Sequence, residues 1–516
     1  MSTRRHQSDE DPPVIKLKVM IDKTRNRVIF AESDHEFIET LFSFLTVPLG
    51  AVLRLLDKDM VQLGSISRIY ASVYSLEPRF LRTSYCKSML IMPRNASEVQ
   101  CEKLKLNVDH SEIAGKLFAC SSYSCDDFYS LFENAHCRCG SPMRSPRSVN
   151  MKGEDTSSGG EGGDGVFLKS GAASFMITDD LQIMPASTAS LTALFEKLGV
   201  SDKNEIEAKT VEVGTKEVLQ LLKVSLLSKT PLTNMVLNSQ GNWVKDTSKF
   251  EDSLTAKLDK KAVSQNSNSV SLKLIVSKSK QKVLYAEAGV KLVDFLFSFL
   301  AFPLGAVVKL LGGNSRLGCI DNLYKGAENL SSENYMKSEE CKTRLLSPKL
   351  FPYSGFDSHI LRVEEECPKY RYDRYGGLEL VRNAKKIEES SIEYEEKASN
   401  LAVTLESIES EEEARRLAII LDPKSPSGET IKGEGYLKGP ATFMILDNLL
   451  VTQFSSTSII TLLNQMKVST SDLEERTVFI GEYEALNLLK ASLISKTVLN
   501  DVFNRREPYP KVMLKV

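Results

Sequence analysis

The sequence predicts an α+β fold built by tandem duplication of a two-part unit. Residues 17–56 align without a gap on residues 272–311, and about 18 of the 40 aligned pairs are identical. Two later strings also recur: FMITDDLQI matches FMILDNLLV, and TVEVGTKEVLQLLKVSLLSKT matches TVFIGEYEALNLLKASLISKT. The displacements are all close to 260 residues, which indicates that one unit was copied whole, in the order A-B-A′-B′.

Part A is predicted to open with a β-hairpin followed by helices. Alternating apolar positions in LKVMI and RVIFA flank the polar string DKTRN, a pattern typical of two strands and a short turn. Apolar residues then recur at helical spacing from Phe37 to Leu45, and Pro48 should end that helix before a second one begins near Ala51. The string ISRIYASVYSL predicts a further helix.

Part B is predicted to contain short strands at FMIT and LQIM, then a helix capped by Ser187 or Thr188 in the first copy and by Ser455 or Ser456 in the second. A strand at TVEV and the helix EVLQLLKVSLLS follow. Hairpins mixed with helices, without a regular βαβ alternation, favour the α+β class.

Breaks in composition define the predicted domains. The connecting strings MKGEDTSSGGEGGDG and DPKSPSGETIKGEG are rich in Gly, Ser, Pro and charge, so they are interpreted as flexible linkers. The predicted divisions are a disordered N-terminus (1–13), repeat 1 part A with a cysteine cluster (14–150), a linker (151–165), repeat 1 part B (166–237), an inter-repeat linker (238–269), repeat 2 part A with an acidic insertion (270–422), a linker (423–434) and repeat 2 part B (435–516).

Composition excludes several classes of protein. An apolar fraction of 42% and a charged fraction of 26% are those of a folded globular protein rather than a disordered or membrane-embedded one. The net charge of −2 shows no excess of basic residues that would bind a phosphate backbone, so nucleic-acid binding is unsupported. The polar start MSTRRHQSDEDPP is unlike a secretory signal, and no uncharged apolar run is long enough to span a membrane. With nine cysteines, an odd number, we expect reduced thiols in the cytoplasm or nucleus.

The sharpest chemical signal is a group of cysteines in the first copy. Their spacing is C-x4-C-x11-C-x-C, and they are Cys120, Cys125, Cys137 and Cys139. Two pairs separated by a segment that can fold back predict a structural zinc site, although C-x-C is a tighter spacing than the usual C-x-x-C. His136 or His110 would be an alternative ligand, and unligated thiols are the plainer interpretation. The second copy lacks this cluster, so any zinc is predicted in the first repeat only.

Other motifs carry weaker signals. The acidic string from about Ile387 to Arg416 is interpreted as a solvated helix, with a partner-binding amphipathic helix as the alternative. Ser141-Pro142 and Ser145-Pro146 are possible phosphorylation sites in a flexible loop. The Gly-rich string GGEGGDG lacks the GK(S/T) ending of a phosphate-binding loop, so it is not interpreted as a nucleotide site.

A duplicated enzyme would keep its titratable groups in both copies. The candidate pairs are Glu32/Glu287, Asp179/Asp447 and Lys229/Lys496. Turn and helix-end positions explain them more simply than catalysis does, and no histidine has a counterpart in the other copy. No catalytic residue is therefore assigned. The PLG turns at Pro48 and Pro303 are interpreted as helix breaks, and the apolar strings beside them as core.

Several strings together resemble a known family. KVLYAEA followed by DFLFSFLAFPLGAVVKLL, the segment FMI-x-D-(D/N)-L, and the ending LLK-x-SL-x-SKT are similar to the plant domain-of-unknown-function 674 family. The resemblance covers nearly the whole chain. It implies a repeated architecture and an origin in flowering plants, but it implies no biochemical activity.

The sequence favours a non-enzymatic interaction or scaffold protein that binds unknown protein partners, because no reactive set of residues recurs. Two similar modules on a flexible linker would be able to bind two sites with avidity. One alternative is an enzyme with a carboxylate site in a cleft between parts A and B, using Glu32 and Asp179. Another is a zinc-stabilised nucleic-acid-binding protein, for which Arg138, Arg144 and Arg147 are the local hint.

Overall fold

The computed structural model describes most of the chain. The described residues are 13–57, 63–109, 114–122, 125, 128–150, 165–171, 174–199, 206–237, 269–355, 360–366, 369–372, 378–381, 418–426 and 434–504. We call 13–237 the first half and 269–504 the second half. The acidic insertion, the predicted inter-repeat linker up to residue 268, and most of the other two linkers lie outside the described residues.

Both helices and strands occur in each half, which confirms the α+β class. The strands are β1 (Ile15–Asp22), β2 (Arg27–Ser33), β3 (Lys116–Cys120), β4 (Phe128–Ser130), β5 (Met143–Asn150), β6 (Phe175–Thr178), β7 (Ile183–Pro185), β8 (Ile206–Val213), β9 (Val270–Ser277), β10 (Lys282–Gly289), β11 (Lys369–Tyr372), β12 (Leu378–Val381), β13 (Ile419–Ile420), β14 (Thr442–Leu446), β15 (Val451–Gln453) and β16 (Leu473–Ile480). The helices are α1 (His35–Ser43), α2 (Leu49–Asp57), α3 (Ile66–Ser75), α4 (Ser84–Ile91), α5 (Glu98–Cys101), α6 (Thr188–Leu198), α7 (Thr215–Leu227), α8 (Pro231–Leu237), α9 (Val290–Ser298), α10 (Leu304–Leu310), α11 (Ile320–Asn329), α12 (Glu339–Leu346), α13 (Ser456–Met466), α14 (Glu482–Ile494) and α15 (Val498–Phe503).

Each half contains one five-stranded antiparallel sheet. The strand order is β7-β6-β2-β1-β8 in the first half and β15-β14-β10-β9-β16 in the second. The predicted hairpins are present as β1-β2 and β9-β10, and both carry a register shift near the middle of the pairing. Strands from predicted part A and predicted part B therefore belong to the same sheet, because β2 pairs with β6 and β10 pairs with β14.

One helix covers the outer face of each sheet. In the first half α6 packs through Leu194 on Phe30 and Met176, and its N-cap is Ser187, one of the two predicted residues. In the second half α13 packs through Leu463 on Tyr285. The inner faces of both sheets contribute to a larger apolar core that spans the two halves.

The PLG turns join the two halves. Pro48 ends the first helical segment as predicted, and α2 begins at Leu49. Pro48 also lies opposite Pro303, where the Leu49 N–H donates to the Phe302 carbonyl at 2.9 Å and the Leu304 N–H donates to the Val47 carbonyl at 3.0 Å. The apolar residues of the flanking strings are buried or half-buried, which confirms that they are core.

A second set of reciprocal contacts lies on either side of this junction. The N–H groups of Lys169 and Lys337 bond across the halves, and so do those of Arg82 and Lys438. The four bonds are Lys169 N to Tyr335 O at 2.9 Å, Lys337 N to Phe167 O at 2.9 Å, Arg82 N to Tyr436 O at 3.0 Å and Lys438 N to Phe80 O at 2.7 Å. Each half thus uses the segment just before β6 or β14 to bind the other half. The two halves share one core instead of forming separate modules.

The third sheet also mixes the halves. Its strand order is β11-β12-β5-β3-β4-β13, with β12 parallel to β5 and β13 parallel to β4. Ser145 and Pro146 lie inside β5, where they pair with Ala119 and Phe118. The prediction that Ser145 lies in a flexible loop was wrong, because Ser145 lies in strand β5, which is hydrogen-bonded to β3. Among the residues that the structure describes, no helix combines the length and the apolar character needed to cross a membrane.

The close packing between halves predicts a stability difference between two glycine substitutions. A Cβ atom at Gly318 would lie 2.2 Å from the Ser225 carbonyl oxygen of the other half, whereas at Gly312 nothing lies within 4 Å. Both glycines have a positive φ, +49° and +63°, so both substitutions carry backbone strain of about 1 kcal/mol. Gly318→Ala should therefore lower the free energy of unfolding by clearly more than Gly312→Ala, measured by denaturant unfolding. Equal losses would mean that this contact between the halves is not tight.

Candidate metal centre

The first of the four cysteines lies at the end of a strand. Cys120 is the last residue of β3, where the register with β5 shifts so that Cys120 lies opposite Met143. The Ser122 N–H points to the Cys120 Sγ atom at 3.4 Å. The strand end and the local turn together fix the position of this sulfur atom.

A tight turn presents the last two cysteines. Gly140 has a φ of +83°, a conformation that favours glycine, and its N–H donates to the Cys137 carbonyl at 2.8 Å. The Cys137 N–H donates to the Ser141 carbonyl at 2.9 Å, which closes the turn. Cys137 and Cys139, two residues apart, thereby reach the same side of the segment. This turn therefore brings both sulfur atoms of the C-x-C string to the cluster.

All four predicted ligands come together. The Sγ atoms of Cys120, Cys125, Cys137 and Cys139 lie within 4.8 Å of one another. The Cys120 and Cys139 sulfur atoms are 3.5 Å apart. A zinc–sulfur distance of about 2.3 Å in a tetrahedron places the sulfur atoms about 3.8 Å apart, so the group is close to the size that zinc requires. With four protein ligands, no coordination position would remain for a substrate.

The surroundings of the sulfur atoms differ. Cys120, Cys125 and Cys137 are buried in a small apolar cluster with Phe118, Met143 and Leu421, whereas Cys139 is exposed. Burial raises the pKa of Cys120, and it raises the pKa of Cys137 to about 12. Hydrogen bonds from the side chain and backbone of Ser141 lower the pKa of Cys139 to about 6. A bound cation would offset the cost of keeping the buried thiols ionised.

The alternative ligands lie elsewhere. His136 stacks edge-on against Tyr85, with ring centroids 6.2 Å apart, and it is not part of the four-sulfur group. His110 lies outside the described residues. Within the part of the chain that the structure describes, this is the one group of cysteine, histidine and acidic side chains close enough together to hold a metal ion.

The carboxylates that align between the two halves have structural contacts. Glu32 forms an ion pair with Lys18 at 3.7 Å on the exposed face of the first sheet, and Glu287 forms one with Lys273 at 3.5 Å in the second. The aligned lysines, Lys229 and Lys496, are exposed and follow the ends of α7 and α14. The structure does not bring these groups to the metal centre.

Asp179 and Asp447 each bind the first turn of a helix. Asp179 accepts hydrogen bonds from the backbone N–H and hydroxyl of Thr233, both at 2.8 Å, and from Arg27 Nε at 2.8 Å. Asp447 accepts from the backbone N–H of Asn500 at 3.0 Å and from its side chain at 2.7 Å. Burial raises the pKa of both carboxyl groups. They connect the end of each sheet to α8 and α15, where helix N–H groups need acceptors.

Sequence reasoning missed a further pair of buried carboxylates. Glu39 accepts from the N–H groups of Phe167 and Leu168 at 2.7 and 2.9 Å, and Asp294 accepts from those of Tyr436 and Leu437 at 2.9 and 3.0 Å. Both carboxylates lie at equivalent positions, on α1 and α9, and hold the segment that also binds the other half. The signal in the sequence was an acidic residue among apolar ones on the buried helix face.

The buried carboxyl group of Asp294 should make the stability of the protein depend on pH. Burial raises its pKa to about 7, against the opposing hydrogen bonds from Leu437 and Tyr436 and the charges of Arg82 and Lys424. Because the folded state holds this proton more tightly than the unfolded chain, the contribution to stability is present at low pH and is lost as pH rises through about 7.

Asp294→Asn keeps an acceptor oxygen and cannot ionise, so this variant should be more stable than the wild type at pH 8. Each pKa unit corresponds to about 1.4 kcal/mol, so we expect a gain of at least about that size. The two proteins should be similar at pH 4.5, measured by thermal unfolding. Glu32→Gln, on the exposed face of the sheet, controls for the loss of one negative charge. A difference that is the same at both pH values would contradict the role of Asp294.

The chain is thus an α+β protein with two five-stranded sheets and a four-cysteine cluster. A family model described as "Protein of unknown function (DUF674)" matches residues 11–483. Because this match covers most of the chain, the protein belongs to that family, and the resemblance in the sequence is confirmed. Comparisons with curated proteins and with solved structures gave no match.

Proposed function

We propose that this protein is a non-enzymatic interaction protein, built by tandem duplication in the order A-B-A′-B′ and stabilised by one structural zinc ion. The observation that carries the proposal is the convergence of four cysteine sulfur atoms within 4.8 Å. Four thiolates complete a tetrahedral zinc site, which leaves the metal a structural role.

The architecture supports the duplication. The two five-stranded sheets have the same strand order, and the contacts at Pro48/Pro303 are reciprocal. In this proposal the two copies fold as an interlocked pair, comparable to a homodimer joined into one chain. The cysteine cluster then belongs to one copy only, so the two copies present different surfaces to partners.

The contacts of the duplicated charged residues favour a non-enzymatic role over an enzyme. Both oxygens of Asp179 accept hydrogen bonds from its neighbours, and Glu32 is in an exposed ion pair. A catalytic carboxylate needs an oxygen free to exchange a proton with substrate. Structural pairing also accounts for two arginines near the cluster, because Arg138 lies 4.9 Å from the centre of the Phe128 ring and Arg144 donates to Asn134 Oδ1 at 2.7 Å.

Metal analysis tests the zinc site. The purified full chain should contain about one zinc ion per molecule by inductively coupled plasma mass spectrometry. Cys137→Ser should reduce this content several-fold and lower the melting temperature, because a three-ligand site holds zinc weakly and the buried thiol cluster loses its cation. Cys341→Ser, away from the cluster, is the matched control and should keep full zinc content. A zinc-free wild-type protein that remains fully stable would refute the site.

Affinity capture tests the interaction role. The full chain used as bait in an extract of its source tissue should recover the same partner protein in independent replicates. Isothermal titration with that purified partner should then show saturable binding. Failure to recover any reproducible partner, together with turnover of a substrate by the pure protein, would favour the enzyme alternative.

A further inference from the structure

Two sulfur atoms of the cysteine cluster lie close together, one on an exposed residue and one on a buried residue. Cys139 is the exposed member of the four, and its Sγ atom lies 3.5 Å from that of Cys120. A disulfide bond requires about 2.05 Å between sulfur atoms, so a movement of about 1.5 Å, within the range of side-chain rotation, would join them. None of the eight described cysteines forms a disulfide.

We propose that Cys120 and Cys139 form a peroxide-sensitive pair that closes to a disulfide and releases the zinc ion. This inference rests on the zinc site proposed above. It adds a modification site and a way of regulating the fold through the metal.

The chemistry requires hydrogen peroxide as the two-electron oxidant. The Cys139 sulfur attacks one peroxide oxygen, the O–O bond breaks, and a sulfenic acid and one water molecule form. The Cys120 sulfur then attacks the Cys139 sulfur, and the hydroxyl group leaves as a second water molecule after taking up a proton. Two zinc-bound thiolates, one peroxide and two protons from solvent thus give one disulfide and two water molecules. The cysteine sulfur atoms are oxidised and the peroxide oxygens are reduced.

Exposure singles out Cys139 from the four cysteines. Cys120, Cys125 and Cys137 are buried with Phe118, Met143 and Leu421, so an oxidant in solvent reaches Cys139 first. Cys120 is then the partner, because its Sγ atom lies 3.5 Å from that of Cys139. Once these two sulfur atoms are joined, only Cys125 and Cys137 remain as thiolate ligands. Two ligands are too few to retain a structural zinc ion.

The consequence would reach the second half of the chain. Leu421 belongs to the second half and packs on the cysteines, and β13 pairs with β4 beside them. Loss of the metal would therefore weaken a contact between the halves, since the buried thiols would no longer be held around one ion. Oxidation would loosen the third sheet, while the two five-stranded sheets keep their own hydrogen bonds.

The test uses the full-length zinc-bound protein and hydrogen peroxide. Released zinc is followed with a chromophoric chelator, and disulfides are mapped by peptide mass spectrometry without reduction. We expect a Cys120–Cys139 disulfide to form in parallel with the release of about one zinc ion per chain. Dithiothreitol and added zinc should restore the original state. A zinc-bound protein that keeps its metal, or a disulfide between a different pair, would overturn the inference.

Two variants sharpen the test. Cys139→His keeps a zinc ligand but has no thiol, so it should bind zinc and retain it in peroxide for at least several times longer than the wild type. Cys341→Ser removes a thiol outside the cluster and should release zinc at the wild-type rate. If Cys139→His does not fold, the disulfide map of the wild type decides the question.

Failure of the inference is distinct from failure of the proposed function. If the purified wild type binds no zinc, the metal site is wrong, and the disulfide map alone then supports or refutes the Cys120–Cys139 pair. If zinc is bound and peroxide does not release it, the structural zinc site stands and the redox inference is refuted.

Discussion

The structure depends on two backbone hydrogen bonds between the Pro48 and Pro303 turns. Each proline ends a buried helical segment, and the next helix starts at once, so its first N–H group has no partner within its own helix. In an apolar core, such a group needs a hydrogen bond, because leaving it unpaired costs about 1–3 kcal/mol. The carbonyl of the other half supplies it. Neither turn is complete without the other half.

Other contacts between the halves make each half depend on the other in the same way. Helix α3 of the first half packs on β15, where Ser72 Oγ accepts from the Val451 N–H at 2.8 Å, and α11 of the second half contacts β7. The equivalent buried carboxylates Glu39 and Asp294 hold the segments that carry the reciprocal bonds. Because the apolar core runs through both halves, the interpretation as two modules on a flexible linker gives way to one body with two related faces.

The cysteine cluster depends on the same arrangement. Its four cysteines all come from the first half, yet Leu421 of the second half completes the apolar wall around them. The lack of a second cluster therefore does not make the second half irrelevant to the site. A metal in the first half would stabilise the third sheet, to which both halves contribute strands.

The sequence alone determined the elements that repeat. Hairpins β1-β2 and β9-β10, the helix break at Pro48 and the cap at Ser187 follow from local periodicity and from the backbone limits of single residues. The four-cysteine group was also visible, because its spacing constrains chemistry. By contrast, the segments that form α4, α12 and the strand β5 show no clear periodicity of apolar residues, so the sequence did not predict them.

Only the tertiary structure decided which half each element contacts. The pairing of Pro48 with Pro303, the strand order of the third sheet and the backbone bonds of Asp294 join residues far apart in the chain. The periodicity of apolar residues indicates which face of a helix or strand is apolar. It does not indicate which other surface covers that face. That choice depends on the shapes of all the elements at once, so it appears only when they pack together.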